Sequence, residues 1–457
     1  MPNRPVVTNL NARSVGILNA IRNNASAEYY NAVPRAEDTT ESIRAVGQAI
    51  TAFQPRMNEF VSALVNRIAR VVVTSRMYSN PWAFAKKGLL EYGESIEEIF
   101  VDIADSVPFD PLRAETEVFK RNKPNIRSMF HAMNLQTEYP VTVSQQQLRQ
   151  AFLSASGVTD LIARIVNSLY SAANYDEFIM MKYVIAVVAD AGGLAFETIS
   201  AVTNQATAEA AIVKIKENST LFGFMSDKYT SAGNKNFVDT GNVYVITTAG
   251  FDALTDVDVL AKAFNIERAN WAGRHVPIDS FAFNEGEIAR LNQLLADDPV
   301  YQAAPITING TLNTALGTIS AVMMDEQFLQ VYDVLNEFTE IYNPKGLYWN
   351  EFYHLWKIYS ASPFVNALMF TTTAKSVTSV TISGATTANA GERKQYTAAV
   401  VAGEFTNKGV VWSISGITGA TINQDGLAYF PVAGTATITA TSLSDSTKTD
   451  TETVTVS

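Results

Sequence analysis

The residues of this chain that could carry out chemistry are its histidines and its closely spaced acidic residues. The three histidines, His131, His275 and His354, are far apart, and none stands in a His-x-x-x-His or His-Glu-x-x-His pattern. We therefore expect hydrogen-bonded or surface histidines and no metal site. The chain has no cysteine, which excludes disulfides, zinc thiolate sites and thiol nucleophiles.

Paired carboxylates occur at four places: Glu97-Glu98, Asp176-Glu177, Asp256 with Asp258, and Asp297-Asp298. General acid–base catalysis needs two carboxylates that face one cleft with separated pKa values, and their positions in the sequence do not indicate this. Helix N-terminal electrostatics explains the second and third pairs. The sequence contains no nucleophile elbow, Walker loop or dinucleotide fingerprint. We therefore expect neither an enzyme nor a bound cofactor.

Lys86-Lys87 is the one basic pair to which we attach a candidate role. It could contact the carboxylates of a neighbouring subunit, it could keep an exposed loop tip solvated, or one lysine could form an isopeptide crosslink. The sequence leaves these three interpretations open, and subunit contact is the one that we prefer.

Composition limits the possible partners of the 457-residue chain. Its formal charge of −11 and pI near 5.0 argue against binding nucleic acid, which needs clustered Lys and Arg. Only 17% of the residues are charged, against about 25% in average soluble chains, which suits a surface covered by partners. No signal-peptide pattern and no apolar run of 18 residues occurs, so we expect no secretion and no membrane span.

The first part of the chain predicts an arm followed by helices. Residues 1–56 indicate an extended arm with short helices, and residues 57–70 repeat apolar side chains at helical spacing. The valines at 71–73 predict the start of a strand. The strongest helical signal lies at 158–191, where Asn174 leaves open whether one helix or two are present and Gly192-Gly193 ends the segment.

Residues 79–103 predict a long loop of two paired strands with a glycine at its tip. An isolated ribbon of this kind is only marginally stable in water. Nothing nearby in the sequence covers it, so we expect it to pack on a neighbouring subunit.

Strands and helices alternate between 195 and 335. We predict a strand at 243–248, a helix at 256–265, one or two strands within 321–335, and a strand-rich segment at 357–371.

From about residue 375 the composition changes to alternating β-branched residues separated by Gly, Asn and Asp turns. This pattern is typical of an all-β sandwich, with Trp412 as its expected core residue. We predict a separate domain at 376–457.

The stretch NPKGLYWNEFYHLW at 343–356 crowds aromatic residues after a turn, with Glu351 as its only acidic residue. Tyr348, Phe352 and Trp356 share a helical spacing, and Trp349 lies beside them. A ligand site and a packed framework are both possible. We favour the framework, because clustered rings of this kind more often bury their area in a core.

Several of these stretches resemble the major capsid proteins of phi-29-like short-tailed phages. They are NAIRN (19–23), SNPWAFAKKG with ESIEEIFVDI (79–103), DVDVLAKAFN (256–265), VYDVL (331–335) and NPKGLYWNEFYHLW (343–356). The tail is similar to bacterial immunoglobulin-like domains of group 2, in SVTSVTI (376–382), TNKGVVWSIS (406–415), DGLAYF (425–430) and GTATITATS (434–442).

The resemblance implies an α+β capsid subunit of the Hong Kong 97 type, residues 1–375, followed by an immunoglobulin-like sandwich at 376–457. The loop at 79–103 would lie over an adjacent subunit, with Trp82, Phe84, Lys86, Lys87, Leu89 and Tyr92 as contact candidates. Residues 158–191 would contain the spine helix, 195–335 the axial domain, and 336–375 the return to the peripheral domain. Tyr348, Trp349, Phe352, Trp356 and Trp412 would be framework residues.

A capsid subunit implies a set of partners. The chain would associate with itself in hexamers and pentamers of an icosahedral head, assembled in the bacterial cytoplasm and kept in the virion. It would enclose DNA without reading its sequence, and it would meet a portal and possibly head fibres. Because the chain starts at Met1 without a prodomain, we expect a separate scaffolding protein. An adhesive or carbohydrate-binding surface protein, acting through residues 376–457, is the alternative.

Overall fold

The N-terminal part of the chain is a layer of helices packed around a shared apolar core. The computed structural model describes residues 10–71, 80–90, 95–104, 125–152, 157–254, 274–296 and 308–457, with a few isolated positions between them. The helices of this layer are α1 (Leu10–Asn24), α2 (Ala27–Ala32), α3 (Thr40–Thr51) and α4 (Gln54–Val71). The hydroxyl of Thr39 caps α3 by accepting the N–H of Ser42. Val71 ends α4, so the strand predicted to begin there is wrong at that residue.

A single helix of 34 residues, α6 (Gly157–Asp190), runs through the middle of the molecule. It follows a short helix, α5 (Gln145–Ala151). Asn174 lies inside α6, so the segment at 158–191 forms one helix and not two. Its length is about 51 Å at the usual rise per residue. Gly192 ends it with φ +69°, and the N–H of Gly193 donates to the carbonyl of Val188 at 2.8 Å.

The first sheet has the strand order β1–β9–β10–β4. Its strands are β1 (Lys86–Leu89), β4 (Leu135–Ser144), β9 (Leu329–Asn343) and β10 (Tyr348–Ala361). β9 and β10 form a long antiparallel hairpin, and β1 joins its edge in parallel. β10 presents alternate side chains to the helical layer and to the opposite face, as a strand in the middle of a sheet does.

The second sheet has the order β5–β11–β8–β6–β7 and is covered on both faces. Its strands are β5 (Ala195–Thr198), β6 (Val243–Thr248), β7 (Arg274–Ile278), β8 (Ile319–Asp325) and β11 (Ala367–Thr371). The helices near it are α7 (Gln205–Phe222), α8 (Ala249–Leu254), α9 (Glu285–Ala296) and α10 (Gly310–Leu316). Val322 faces the core shared with α6, whereas Met323 faces the core that includes Ala211 and Ile215 of α7. Both faces are therefore apolar, so β6 is buried along nearly its whole length.

In residues 377–456 the secondary structure consists of β-strands joined by turns and loops. They are β12 (Val377–Ser383), β13 (Thr387–Ala388), β14 (Glu392–Gln395), β15 (Thr397–Ala402), β16 (Val410–Ser415), β17 (Thr421–Ile422), β18 (Leu427–Phe430), β19 (Gly434–Ser442) and β20 (Thr449–Val456). They enclose an apolar core of their own, which includes Trp412, Phe430 and Ile438. We call residues 377–456 the C-terminal β-unit and the described residues up to 371 the body.

Some predicted elements can be compared directly with the structure. The strand at 243–248 is confirmed as β6. The segment 321–335 belongs to two strands, β8 and β9, separated by a turn at 326–328. The segment 357–371 contains the end of β10 and all of β11. The helix predicted at 256–265 lies outside the described residues.

Candidate subunit-contact surface

A two-stranded ribbon is formed by strands β2 (Ser95–Val101) and β3 (Ile126–Ala132). They pair antiparallel, with Glu98 opposite Met129. The sequence analysis instead placed a self-paired loop at 79–103. That pairing is wrong, because β1 pairs in parallel with β9 of the body and not with β2.

The aromatic contact candidates before the ribbon pack within their own chain. Trp82 is fully buried and meets Phe178 of α6 edge-on, with ring centroids 5.5 Å apart. Phe84 stacks on Tyr244 of β6 at 3.8 Å. These side chains are held by the body's core, and Trp82 has no exposed surface left for a neighbouring subunit. Subunit contact stays a prediction for Phe84, which is half-buried.

The other candidates of that segment differ in exposure. Lys87 donates its Nζ proton to the carbonyl of Glu326 at 2.7 Å, and burial lowers the pKa of its ammonium. Leu89 is 59% exposed at the sheet edge and stays a candidate for subunit contact. Tyr92 lies outside the described residues.

Lys86 belongs to a charge network centred on Glu177 of α6. Its Nζ lies 3.1 Å from Glu177 Oε2, which also binds Lys357 of β10. Asn80 donates to Glu177 Oε1 at 2.9 Å, and Asp333 pairs with Lys357 at 2.7 Å. Burial alone would raise the pKa of the Glu177 carboxyl, but the two lysines and the hydrogen bonds hold it below its usual range. The network fixes β1 and β10 to the long helix.

The inner face of the ribbon is anchored to the body by polar contacts. His131, which is 2% exposed, hydrogen-bonds through Nδ1 to Ser360 Oγ at 2.7 Å and through Nε2 to Glu98 Oε2 at 3.0 Å. The hydroxyl of Ser362 donates to Glu98 Oε1 at 2.7 Å. We call these four residues the ribbon anchor. It holds both strands against the end of β10.

An aromatic contact supports the ribbon anchor. The ring of Phe100, on the same inner face of β2, stacks on Phe364 with centroids 5.7 Å apart. The ribbon is therefore positioned by its own chain in spite of having only two strands.

The outer face of the ribbon exposes four large apolar side chains. It carries Ile99 and Val101 of β2 opposite Ser128 and Ile126 of β3, and the next pair on this face is Glu97 opposite Phe130. Ile99 is 59% exposed and Phe130 63% exposed. Several large apolar side chains exposed on one face, with a charged residue beside them, are typical of an interaction surface.

The framework candidates of β10 alternate in burial. Trp349 is 2% exposed and packs in the core of the helical layer, whereas Tyr348, Phe352 and Trp356 are half-buried on the opposite face of the strand. Their four-residue spacing therefore belongs to a strand and not to a helix. Trp412 is 6% exposed in the core of the C-terminal β-unit.

The remaining histidines occupy ordinary hydrogen-bonded positions. His275 Nε2 lies 2.7 Å from Thr247 Oγ1 and 3.0 Å from Asp252 Oδ1, so a single nitrogen contacts both groups. His354 lies 3.0 Å from Thr339 Oγ1. Within the described residues no three His, Asp or Glu side chains converge as a metal site would require.

Residues 18–371 match the family described as the Phi29-like phage major capsid protein. The major capsid protein of Bacillus phage B103 is 35% identical over 424 residues, covering 91% of this chain and 86% of the relative. That of Bacillus phage PZA is 32% identical, with the same coverage of both chains.

Solved structures give a more distant comparison. The capsid structure of Staphylococcus phage Andhra aligns with a TM-score of 0.48 at 16% identity, covering 66% of this chain and 86% of that one. The relatives named above are capsid proteins, and they give no support to the adhesive alternative.

Proposed function

This chain belongs to the Phi29-like phage major capsid protein family, and on that premise we propose that many copies of it assemble into the closed head of a tailed phage. Hexamers and pentamers of the chain would enclose the genome. The observation that carries the proposal beyond family membership is the ribbon, whose inner face is anchored to its own chain while its outer face exposes Ile99, Val101, Ile126 and Phe130.

We propose that the body has the Hong Kong 97-type capsid fold and that the C-terminal β-unit is an immunoglobulin-like sandwich. The order of elements supports the first assignment: a two-stranded ribbon, then one long helix, then a sheet covered on both faces. The separate core around Trp412 supports the second. In this fold the ribbon β2–β3, and not residues 79–103, is the extended loop.

In the shell, the outer face of the ribbon lies on a neighbouring copy of the chain. Burying Ile99, Val101, Ile126 and Phe130 would remove apolar surface from water, and each side chain would contribute up to about 1.5–3 kcal/mol. A strand pair that is already held in place loses little conformational entropy on binding, which favours association. The contact between the ribbon and the neighbouring copy therefore contributes to the affinity between subunits, and little of its free energy is spent on ordering the ribbon.

The remaining partners follow from the capsid role. A scaffolding protein and a portal would guide closure, and head fibres would attach from outside. The formal charge of −11 suits a container that holds DNA without gripping its phosphates. In the parts of the chain that the structure describes, no helix is long and apolar enough to cross a membrane.

The ribbon's role can be tested by placing a charge on its outer face. We expect Ile99→Asp, co-expressed with the phage's scaffolding protein, to give folded subunits that form no closed shells, because assembly would bury an unpaired carboxylate. Negative-stain electron microscopy and sedimentation velocity measure the outcome.

Val411→Asp is the matched control, since Val411 is an exposed strand residue of the C-terminal β-unit at 44% exposure. It should assemble as the unaltered chain does. Closed shells of Ile99→Asp at normal yield would contradict the proposed role of the ribbon.

A further inference from the structure

The loop between β15 and β16, residues 403–409, leaves the C-terminal β-unit and enters the body. At its centre, Phe405 has φ +60° and is fully buried. A residue other than glycine rarely adopts the left-handed backbone conformation. A bulky aromatic residue does so where the surrounding structure holds it there. We call residues 403–409 the docking loop.

Phe405 is packed into the core of the body and not into the core of its own unit. It belongs to the apolar cluster that contains Ala189 of α6 and Leu194. The separate core of the C-terminal β-unit is built around other residues, such as Trp412 and Phe430. The left-handed turn thus directs the Phe405 ring out of the C-terminal β-unit and into the core of the body of the same chain.

The docking loop contacts the body just after the end of α6, at Gly192. Gly192 has φ +69°, and a Cβ atom there would lie 2.3 Å from the backbone nitrogen of Asn407. Only glycine allows both this turn and this close approach. The backbone of the docking loop is itself held in place, since Ser444 donates its hydroxyl proton to the carbonyl of Asn407 at 2.8 Å.

The linker between the two parts makes a second contact beside the first. The N–H of Thr372 donates to the carbonyl of Thr318 at 3.2 Å, and the hydroxyls of Thr373 and Thr318 lie 2.8 Å apart. The Lys375 ammonium lies 5.1 Å from the ring centroid of Phe196. The docking loop at Gly192 and the linker at Thr318 and Phe196 together resist rotation of the C-terminal β-unit about the body.

We propose that the segment from Gly192 to Phe196 is a built docking surface for the C-terminal β-unit, and that Phe405 is the side chain that seats it. The C-terminal β-unit then keeps a fixed orientation relative to the body and is not a domain on a flexible linker. The family match ends at residue 371, so this contact joins a segment beyond the matched region to the body. The inference concerns one chain and does not depend on shell formation.

The test is hydrogen–deuterium exchange of the full chain carrying Phe405→Ala. We expect amide exchange in residues 191–196 and 403–409 to rise at least tenfold, while exchange in β19 and β20 stays unchanged because the unit keeps its own core. Val401→Ala, at an exposed valine of the same unit, is the control and should change neither region.

A second variant approaches the contact from the body. Gly192→Ala should raise exchange in the docking loop as Phe405→Ala does, because its Cβ would displace the backbone of Asn407. Unchanged exchange at 191–196 and 403–409 in Phe405→Ala would overturn the proposal. Raised exchange confined to β19 and β20 would also overturn it, because Phe405 would then be a core residue of its own unit only.

Discussion

Buried charges converge on Glu177, which is 2% exposed and accepts contacts from Lys86, Lys357 and Asn80. In the sequence Glu177 stands out only as half of an acidic pair, for which a helix N-terminus was the predicted explanation. That explanation is wrong, because the residue lies in the middle of α6. Its lysine partners are 91 and 180 positions away in the chain, so no local pattern could indicate them.

Removing this carboxylate should destabilise the body strongly. We expect Glu177→Ala to lower the free energy of unfolding by about 3–5 kcal/mol, because Lys357 would remain buried and, among the described residues, would keep Asp333 as its acidic partner. Urea denaturation measures the change. Glu217→Ala is the control, since its ion pair with Lys214 is exposed to solvent and should contribute far less to the free energy of unfolding. Equal effects of the two substitutions would contradict the network's role.

Glu351 of β10 is a second buried carboxyl, and its pKa is shifted upward, whereas that of Glu177 is shifted downward. It is 1% exposed, and within the described residues neither of its oxygens has a hydrogen-bond partner. Burial, assisted by the charge of Glu340 on the adjacent strand, raises its pKa to about 8. The folded chain therefore holds a proton there that the unfolded chain releases near pH 4.5.

Stability should consequently fall as the pH rises from about 5 to about 8. The steepest loss is about 1.4 kcal/mol per pH unit, because the folded state binds the additional proton across this window. Glu351→Gln carries no titrating proton and should flatten the profile. Urea midpoints at pH 6 and pH 8 measure it, and a profile of Glu351→Gln as steep as that of the unaltered chain would contradict this account.

At the scale of elements, the ribbon depends on its anchor. We expect His131→Ala to increase amide exchange in both β2 and β3, because the imidazole links Glu98 to Ser360 and joins the ribbon to β10. His354→Ala, which removes a half-buried histidine from the face of β10, should leave the ribbon's exchange unchanged. Ribbon exchange that is the same in His131→Ala as in the unaltered chain would show that the anchor is dispensable.

The elements also show which sequence signals were sufficient. The apolar periodicity of 158–191 indicated α6, since a helix buried over several turns repeats its apolar residues strongly. The pairing of β2 could not be predicted, because its partner β3 begins 25 residues after β2 ends. The four-residue spacing of Tyr348, Phe352 and Trp356 was interpreted as helical, although the segment is a strand. Positions i and i+4 share a face in a strand as well as in a helix, so this spacing does not distinguish the two.

At the scale of the whole molecule, the resemblance of several stretches to phi-29-like capsid proteins indicated a structural subunit, and membership of the capsid family confirms that class. The sparse charge only suited a surface covered by partners. The insertion of Phe405 into the body could not be predicted from the sequence, because nothing in GEFTN marks a left-handed phenylalanine. Long-range contacts of this kind appear only when both partners have been positioned by the fold.

The measurement that tests the account most directly is a cryo-electron microscopy reconstruction of particles assembled from this chain with its scaffolding protein. The account predicts closed shells in which a second copy of the chain covers Ile99, Val101 and Phe130 of the ribbon. Closed shells that leave this face exposed to solvent, or a preparation that contains only monomers, would contradict it.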